Sequence, residues 1–371
     1  MRAFLLYLIV MLHTNRFFDF FPPPQFLEMP AIGIDISGRS VRFAELKHKG
    51  GAFVLGRFGE KEIPPGVVVS GQIRKHEELR NVLAELKQEH DFTFVRISLP
   101  EEQGYSLKIQ IPRVKPKEIY ESLELQLQEH VPLAAQEAVF DYSLVACGEE
   151  MKDVYEIGLS VMPHKVIESY VRLFNGTGLI PLSFEFEAHA IARSVIKQGN
   201  CDAFILLDIG ATRTGIAVQS QGVITFTSTI NVGGHSLTES ISNTLGISFE
   251  EAKQQKESRG LLDGKGDPLY QALISRLAVL RDEFNKHYTY IKTHKNITGK
   301  GENNVKRIVV CGGEANVPGF ANYLAATLKT DIEIANPWTN VNSLTDYVPE
   351  IPSNHALRYV TALGLAQRSP L

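Results

Sequence analysis

AIGIDISGRSVRFAE, residues 31–45, and FILLDIGATRTGIAV, residues 204–218, are two copies of one pattern. Each is an apolar strand that delivers an aspartate, Asp35 or Asp208, into a turn of small and hydroxyl-bearing residues, and a second β-branched strand follows. The copies stand far enough apart to mark duplicated half-molecules rather than a short solenoid period. Turns without bulky side chains let backbone N–H groups approach phosphate oxygens, and hydroxyls add further donors. An aspartate at a strand end can hold a hydrated Mg²⁺ between two such turns. A single Asp-turn would be an ordinary hairpin; two in matching contexts point to a phosphate clamp.

The 371 residues are 44% hydrophobic, enough apolar material for two or more domains. A net charge of −4 announces no strongly basic surface for nucleic acid or an anionic membrane. Cys147, Cys201 and Cys311 are odd in number and widely spaced. They suggest neither a disulfide framework nor a metal site, and a reducing cytosol is the expected compartment. At the N-terminus Arg2 precedes the apolar run 3–12, and Arg16 and the prolines 22–24 follow. That run falls short of the roughly 20 residues a membrane span needs, and no clean cleavage site follows it. Residues 1–29 are therefore expected to be a non-core extension, with the folded chain starting near Met29; a membrane-touching segment and a secretory signal are the alternatives.

Outward from the first Asp-turn, strands at 32–46 and 52–58 form a meander that Pro64-Pro65-Gly66 ends. Leu79, Val82, Leu83 and Leu86 recur at helical spacing over 76–90, and an alternating strand follows at 92–99. A strand at 105–111, a helix at 116–130 opened by Pro116, and strands at 138–147 and 154–161 complete an inserted α+β unit. A helix at 163–175, a strand at 179–186 and a helix at 187–197 lead to the second Asp-turn. Beyond its meander come helices at 234–245, 250–258 and 268–293, then a polar loop at 295–304. The chain closes with a strand at 307–311, a helix at 317–328, a short strand at 332–335 and a last helix at 355–368. Meanders alternating with helices in both halves imply α/β domains covered on both faces.

A third element, IVVCGGEANVPGF at 308–320, is a strand ending in Gly312-Gly313 before a helix. Two glycines there allow a flat ring or a phosphate to approach the backbone, and a helix N-terminus adds a positive dipole end. Strand, Asp-turn, second Asp-turn and Gly-Gly turn, in that order, resemble the actin/Hsp70/sugar-kinase superfamily. Within it the chain is similar to the type IV pilus assembly proteins of the PilM family and their relative FtsA. The resemblance is strongest at GIDISGRSV, LLDIGATRTGIAV and VVCGGEANVPGF and extends over 30–367. It implies a duplicated actin-like, RNase H-like two-domain ATPase fold with an inserted SHS2-type subdomain. The first half would comprise 30–60 and 163–200, the insert 61–162, and the second half 201–371, with a core at 201–232 and 305–371 and a helical subdomain at 233–304.

The same resemblance carries roles to matching positions. Asp35 and Asp208 would organise Mg²⁺, and Ser37, Gly38 and Ser40 would face the phosphates from the first loop. Gly210, Thr212 and Thr214 would face them from the second, with Gly233, Gly234, Gly312 and Gly313 lining the nucleotide. Glu250 and Lys253, at i,i+3 on one helix face, would meet the ribose of ATP, although a surface ion pair fits them equally. Glu187 would position an attacking water and, with Asp208, form the catalytic pair; a helix-start glutamate stabilised by the macrodipole is the plainer reading. Glu185 is its rival. Ser37-Gly38 stand where the family has Gly then Ser, and Arg39 and Glu314 replace smaller residues; these departures bear more on hydrolysis than on binding. His189, among alanines, reads as a core histidine, with no second ligand at metal spacing.

The resemblance further implies a cytoplasmic ATP-binding scaffold at the inner face of the membrane, at most a slow ATPase. It would dock the cytoplasmic N-terminal peptide of a PilN-like membrane protein through the region of the inserted subdomain, with nucleotide as a conformational switch. An FtsA-like filament former and a small-molecule kinase of the same superfamily are the alternatives.

Overall fold

The computed structural model describes residues 30–49, 51–145, 147, 153–298, 305–343 and 345–368. The expected extension at 1–29 and residues 299–304 of the expected polar loop lie outside them; the start of that loop, Lys295–Thr298, is a short helix instead.

Two sheets repeat one topology. In the first, β1 (Ile32–Ile36) is buried at every position and occupies the centre. It pairs antiparallel with β2 (Ser40–Lys49), which pairs antiparallel with β3 (Ala52–Glu62). On its other side lie β6 (Phe94–Leu99) and β10 (Ile180–Phe186), both parallel; the short β4 (Val68–Val69) and β5 (Gln72–Ile73) form a separate hairpin. In the second sheet β11 (Ala203–Ile209) takes the central role. Antiparallel β12 (Thr214–Ser220) and β13 (Val223–Ile230) lie on one flank, and parallel β14 (Val305–Cys311) and β15 (Ile332–Ile334) on the other. Strands buried on both faces read as continuous apolar runs, which is why IGI and FILL precede the two aspartates.

Each half has its own core: Phe43, Leu83 and Ile97 are fully buried in the first, Leu207, Leu277 and Phe284 in the second. Between them lies the helix Val360–Ala366, buried at all seven positions. It fits because two glycines clear its path: a Cβ on Gly33 would strike the Ala362 carbonyl, and one on Gly364 would strike the carbonyl of Ala190 in the helix Glu187–Val195.

The inserted unit comprises β7 (Tyr105–Pro112), the helix Ile119–His130, β8 (Ala138–Leu144) and β9 (Val154–Pro163), around a core of Leu123, Leu127 and Leu159. β7 pairs with β13 through Leu107 and Phe226, so the second sheet runs on into the insert as β15-β14-β11-β12-β13-β7-β9-β8. The helix His76–His90 and β6 were grouped by sequence with the insert at 61–162, but they pack into the first half. β6 is apolar over its length because it lies parallel beside β1, and Leu79, Leu83 and Leu86 share that core.

One expectation is overturned. Cys147 and Cys201 form a disulfide, with Cα atoms 5.7 Å apart. Their spacing of 54 residues hid the pair. The continuation of the sheet into the insert is what brings the β8–β9 connection beside the start of β11. Cys311 is free and buried.

Candidate nucleotide cleft

The strand ends bring the two Asp-turns face to face. Asp35 and Asp208 are the fourth and sixth residues of their central strands, and Gly38 of the first turn lies against Thr212 of the second, where a Cβ would stand 3.4 Å from Thr212 Oγ1. Asp35 is 7% exposed and accepts a hydrogen bond from Ser98 Oγ at 2.9 Å. Burial, then the charge of Glu187, lifts its carboxyl to about 6. Burial, then the charge of Asp35, lifts Asp208 to about 6 as well. A buried and a half-buried carboxylate repelling one another form a donor set that a divalent cation would relieve. Among the described residues no three His, Cys, Asp or Glu converge at metal-ligand distance.

Ser37 closes the first turn on itself. Its hydroxyl donates to the Ser40 carbonyl at 2.9 Å and accepts from the Ser40 amide at 3.1 Å, while Ser40 is buried. Neither Ser37 nor Gly38 has a positive φ, so the inverted Ser-Gly order carries no backbone strain. In the second turn Gly210 N donates to Arg213 O at 2.9 Å. The helix Gly234–Leu245 docks on the same turn, its Gly234 and His235 amides donating to Gly210 O and Ala211 O. Gly233 fits there because a Cβ would lie 2.5 Å from Arg213 N. Thr214 does not face the cleft: it is fully buried and its hydroxyl donates to Val232 O at 2.7 Å.

Gly312 has φ +85°, a conformation that side-chain-bearing residues rarely adopt, and a Cβ there would strike Asp208 Oδ1. The Gly-Gly turn therefore closes directly over the second aspartate. Gly234, beside it, adjoins Glu314, which pairs with Lys256 at 2.7 Å; Lys256 is 3% exposed and also donates to Gly234 O at 3.1 Å. Glu250 is exposed and Lys253 half-buried on the same helix, Phe249–Ser258. One turn beyond Lys253, Lys256 is the residue of this helix that reaches the cleft wall. Its burial on an otherwise polar helix is a tertiary fact with no sequence signal.

Glu187 and Glu185 separate cleanly. Glu185 points away into Arg193 (2.6 Å) and Arg368 (3.2 Å); burial alone would raise its carboxyl, but these two cations hold it below the usual range. Glu187 faces the aspartates, and burial pushes it up despite the neighbouring Arg213. Arg213 is the group the sequence reading passed over. From the second turn it reaches across to the first half, pairing with Glu187 at 2.7 Å and Glu102 at 2.8 Å. Burial would lower its guanidinium, but Glu187 and Glu102 push it up. Glu101 accepts from the Ala188 amide, and burial with the charge of Glu187 keeps it well above the carboxylate range. A second link crosses the cleft from Arg39, whose Nη2 lies 3.3 Å from His235 Nδ1. The bulky Arg39 and Arg213 are thus bridges between the halves.

The family model for the type IV pilus assembly protein PilM matches residues 33–370. Among solved structures, the PilM-PilN type IV pilus biogenesis complex superposes with a TM-score of 0.74 at 20% identity, covering 91% of this chain and 98% of that one. An MreB of Spiroplasma citri bound to ADP gives 0.54 at 14% identity, covering 84% and 93%. The cell division protein FtsA of Enterococcus hirae is 22% identical over 231 residues, 54% of this chain and 51% of FtsA. The chain spans about half or less of the length of the curated relatives it matches. Duplicated sheets with antiparallel meanders, central strands ending in facing aspartates and a crossing helix between the halves make the fold that of the actin-like ATPases. The chain belongs to the type IV pilus assembly protein PilM family.

Proposed function

We propose that the chain is an actin-like, ATP-binding scaffold of type IV pilus assembly that docks the cytoplasmic peptide of a PilN-like membrane protein and uses nucleotide as a conformational switch. One observation carries the nucleotide reading: two mutually repelling aspartates, Asp35 buried and Asp208 half-buried, stand at the facing ends of duplicated strands, walled by turns whose glycines leave the backbone open. Asp35 and Asp208 are the residues that would hold Mg²⁺ through water. The amides of Gly38, Ala211 and Thr212, with the Thr212 hydroxyl, would meet the phosphates, and Gly312, Gly313, Gly234 and Lys256 would wall the nucleoside. When bound, Mg²⁺ supplies charge neutralisation for the phosphates. Glu187 is placed to orient a water, but its ion pair with Arg213 ties up both carboxylate oxygens. Turnover is accordingly slow, since orientation by a free base or amide is what phosphoryl transfer needs.

A partner peptide would meet the chain where the insert adjoins the two halves. Among the described residues no helix is long and apolar enough to cross a membrane. The test is a pull-down from a membrane fraction by the full chain with and without Mg·ATP, read by mass spectrometry. Recovery of a single-span pilus protein in a nucleotide-dependent amount supports the reading. Equal recovery with and without Mg·ATP, together with no calorimetric ATP binding, overturns the switch.

A further inference from the structure

The disulfide between Cys147 and Cys201 joins the β8–β9 connection of the insert to the start of the second half. It meets the hairpin turn between β12 and β13, where Gln221 and Gly222 take φ of +56° and +84°. Gln221 ties three segments together there. Its backbone N–H donates to Cys201 O at 3.1 Å, its side-chain Nε2 donates to Cys147 O at 3.1 Å, and its Oε1 accepts from Lys108 Nζ of β7 at 2.7 Å. Gly158 of β9 packs on Val223 in the same corner, where a Cβ would stand 2.8 Å from Val223 Cβ. Cys147 and Gly222 also line a cavity of about 1070 Å³ that opens between the two halves and the insert, at the ends of β1 and β11 opposite the aspartates. Lys47, Arg96, Arg193, Lys197 and Arg368 line it too, with no Asp or Glu among the described residues.

The bond is reachable. Cys201 is exposed and Cys147 half-buried, whereas Cys311 is fully buried. Access governs thiol–disulfide exchange, and exposed disulfides are the labile ones. The bond spans a sequence separation of 54 residues and links two units that otherwise meet through reversible contacts. Those contacts are the Leu107–Phe226 pairing, the hydrogen bonds of Gln221 and, at the cleft end of β13, the Glu102–Arg213 ion pair. Cutting such a tether restores loop-closure entropy to the opened arrangement, so the insert separates more easily without any loss of core packing.

We propose that Cys147–Cys201 is a redox-active modification site, opened in the folded chain by a dithiol reductant and acting as a releasable staple between the insert and the second half. One thiolate of the reductant attacks Sγ of the more exposed Cys201, and the bond to Cys147 breaks. The second thiol of the reductant then displaces Cys201 from the mixed disulfide. Each displaced cysteine takes up the proton its attacker lost, two electrons reach the protein, and the reductant ends as its own disulfide. Oxidised, the staple fixes the wall of the cavity that Cys147 and Gly222 form. Reduced, that wall is held by hydrogen bonds and packing, while the Glu102–Arg213 pair still anchors the other end of the contact.

The test treats the oxidised full chain with dithiothreitol in the absence of denaturant. Alkylation by iodoacetamide, located by mass spectrometry, is expected at Cys147 and Cys201 and not at Cys311, whose burial reports that the fold is intact. Hydrogen exchange in 105–112 and 219–226 should then quicken at least about tenfold, a modest part of what opening a loop of this length releases, while 204–209 in the core of the second half stays unchanged. The double variant Cys147→Ser/Cys201→Ser should show the faster exchange with and without reductant; if it does not fold, the reduced parent decides alone. Resistance of the bond to dithiothreitol until urea is added, alkylation of all three cysteines together, or exchange that is the same before and after reduction overturns the proposal.

Discussion

Replacing Asp35 by Asn is expected to stabilise the nucleotide-free protein at neutral pH. The carboxyl titrates near 3.8 in an ordinary setting and near 6 when buried beside Glu187, so the folded state binds its proton more tightly than the unfolded state. A gap of about two pH units corresponds to about 3 kcal/mol at 1.36 kcal/mol each. The sign follows from proton linkage: between pH 4 and 6 the folded chain holds more protons, so stability falls as pH rises through that window. Asn is isosteric and neutral, and its carbonyl still accepts from Ser98 Oγ, so the variant escapes the penalty. Allowing for imperfect replacement of the hydrogen bond, the gain is about 1–3 kcal/mol at pH 7.5, or roughly 1–4 °C in Tm for a chain of this size. At pH 4 the two proteins should melt together. Added Mg·ATP should reverse the order, because ligand at a hundredfold excess over Kd stabilises only the form that binds it, by about 2.7 kcal/mol. Differential scanning fluorimetry across pH, with and without Mg·ATP, measures all three. An Asn variant that melts below the parent at pH 7.5, or a gap that is the same at pH 4, refutes the claim that Asp35 is held charged against its environment.

Asp208→Ala should abolish Mg·ATP binding in calorimetry while the circular dichroism spectrum stays that of the parent, since this half-buried carboxylate holds no core together. Arg213→Ala should cost about 3–5 kcal/mol by leaving Glu187 and Glu102 buried without their cation. The double variant Arg213→Ala/Glu187→Gln should recover part of that loss, read by urea denaturation. Cys201→Ser should lower stability by no more than about 4 kcal/mol, the chain-entropy figure for a loop of this length, and dithiothreitol should reproduce the change in the parent but not in the variant. Gly312→Ala should prevent nucleotide binding and lower Tm, because the residue needs a positive φ and its Cβ would meet Asp208.

The parts of the fold legible in the sequence are those dictated by local rules. IGIDI and FILLDI read as central strands because a strand buried on both faces has no polar alternation to confuse it, and 268–293 reads as one helix because Pro268 opens it and leucines recur on one face. The helix 76–90 was also legible, but its membership was not. Whether it covers the first sheet or the insert depends on β6 choosing β1 as its partner, a pairing between strands some sixty residues apart that leaves no local mark. The disulfide escaped for the same reason. In the site, the glycines and aspartates were legible because backbone approach and charge at a strand end restrict residue type severely. Thr214 was misjudged because a hydroxyl in a turn looks the same whether it faces a phosphate or the Val232 carbonyl. Arg213, Glu102 and Lys256 were invisible because a charged residue in a loop or on a polar helix is ordinarily solvated; the meeting of the two halves covers the first two, and packing within the second half against Gly234 and Glu314 buries Lys256.

The acid-lined cleft and the cation-lined cavity sit at opposite ends of the same strand. β1 runs from the cavity wall at Ala31 to Asp35, a rise of about 13 Å, and the helix Val360–Ala366 packs along it and ends at Gln367 and Arg368 in the cavity. Through Gly364, whose carbonyl accepts from Arg193 at 2.8 Å, that helix also packs on the helix Glu187–Val195, whose Ala188 and Ile191 join the second half's core. The backbone contacts of Gly33 and Gly364 leave this helix no room to shift against β1 or the helix Glu187–Val195, so it is fixed to the strand that carries Asp35. Nucleotide can bias peptide binding only through a difference in affinity between the two arrangements, and peptide must then bias nucleotide by the same factor. The Arg213–Glu187 and Arg39–His235 bridges span the two halves across the cleft. A rotation that opens the cleft must break both, so the free energy they contribute is part of its cost.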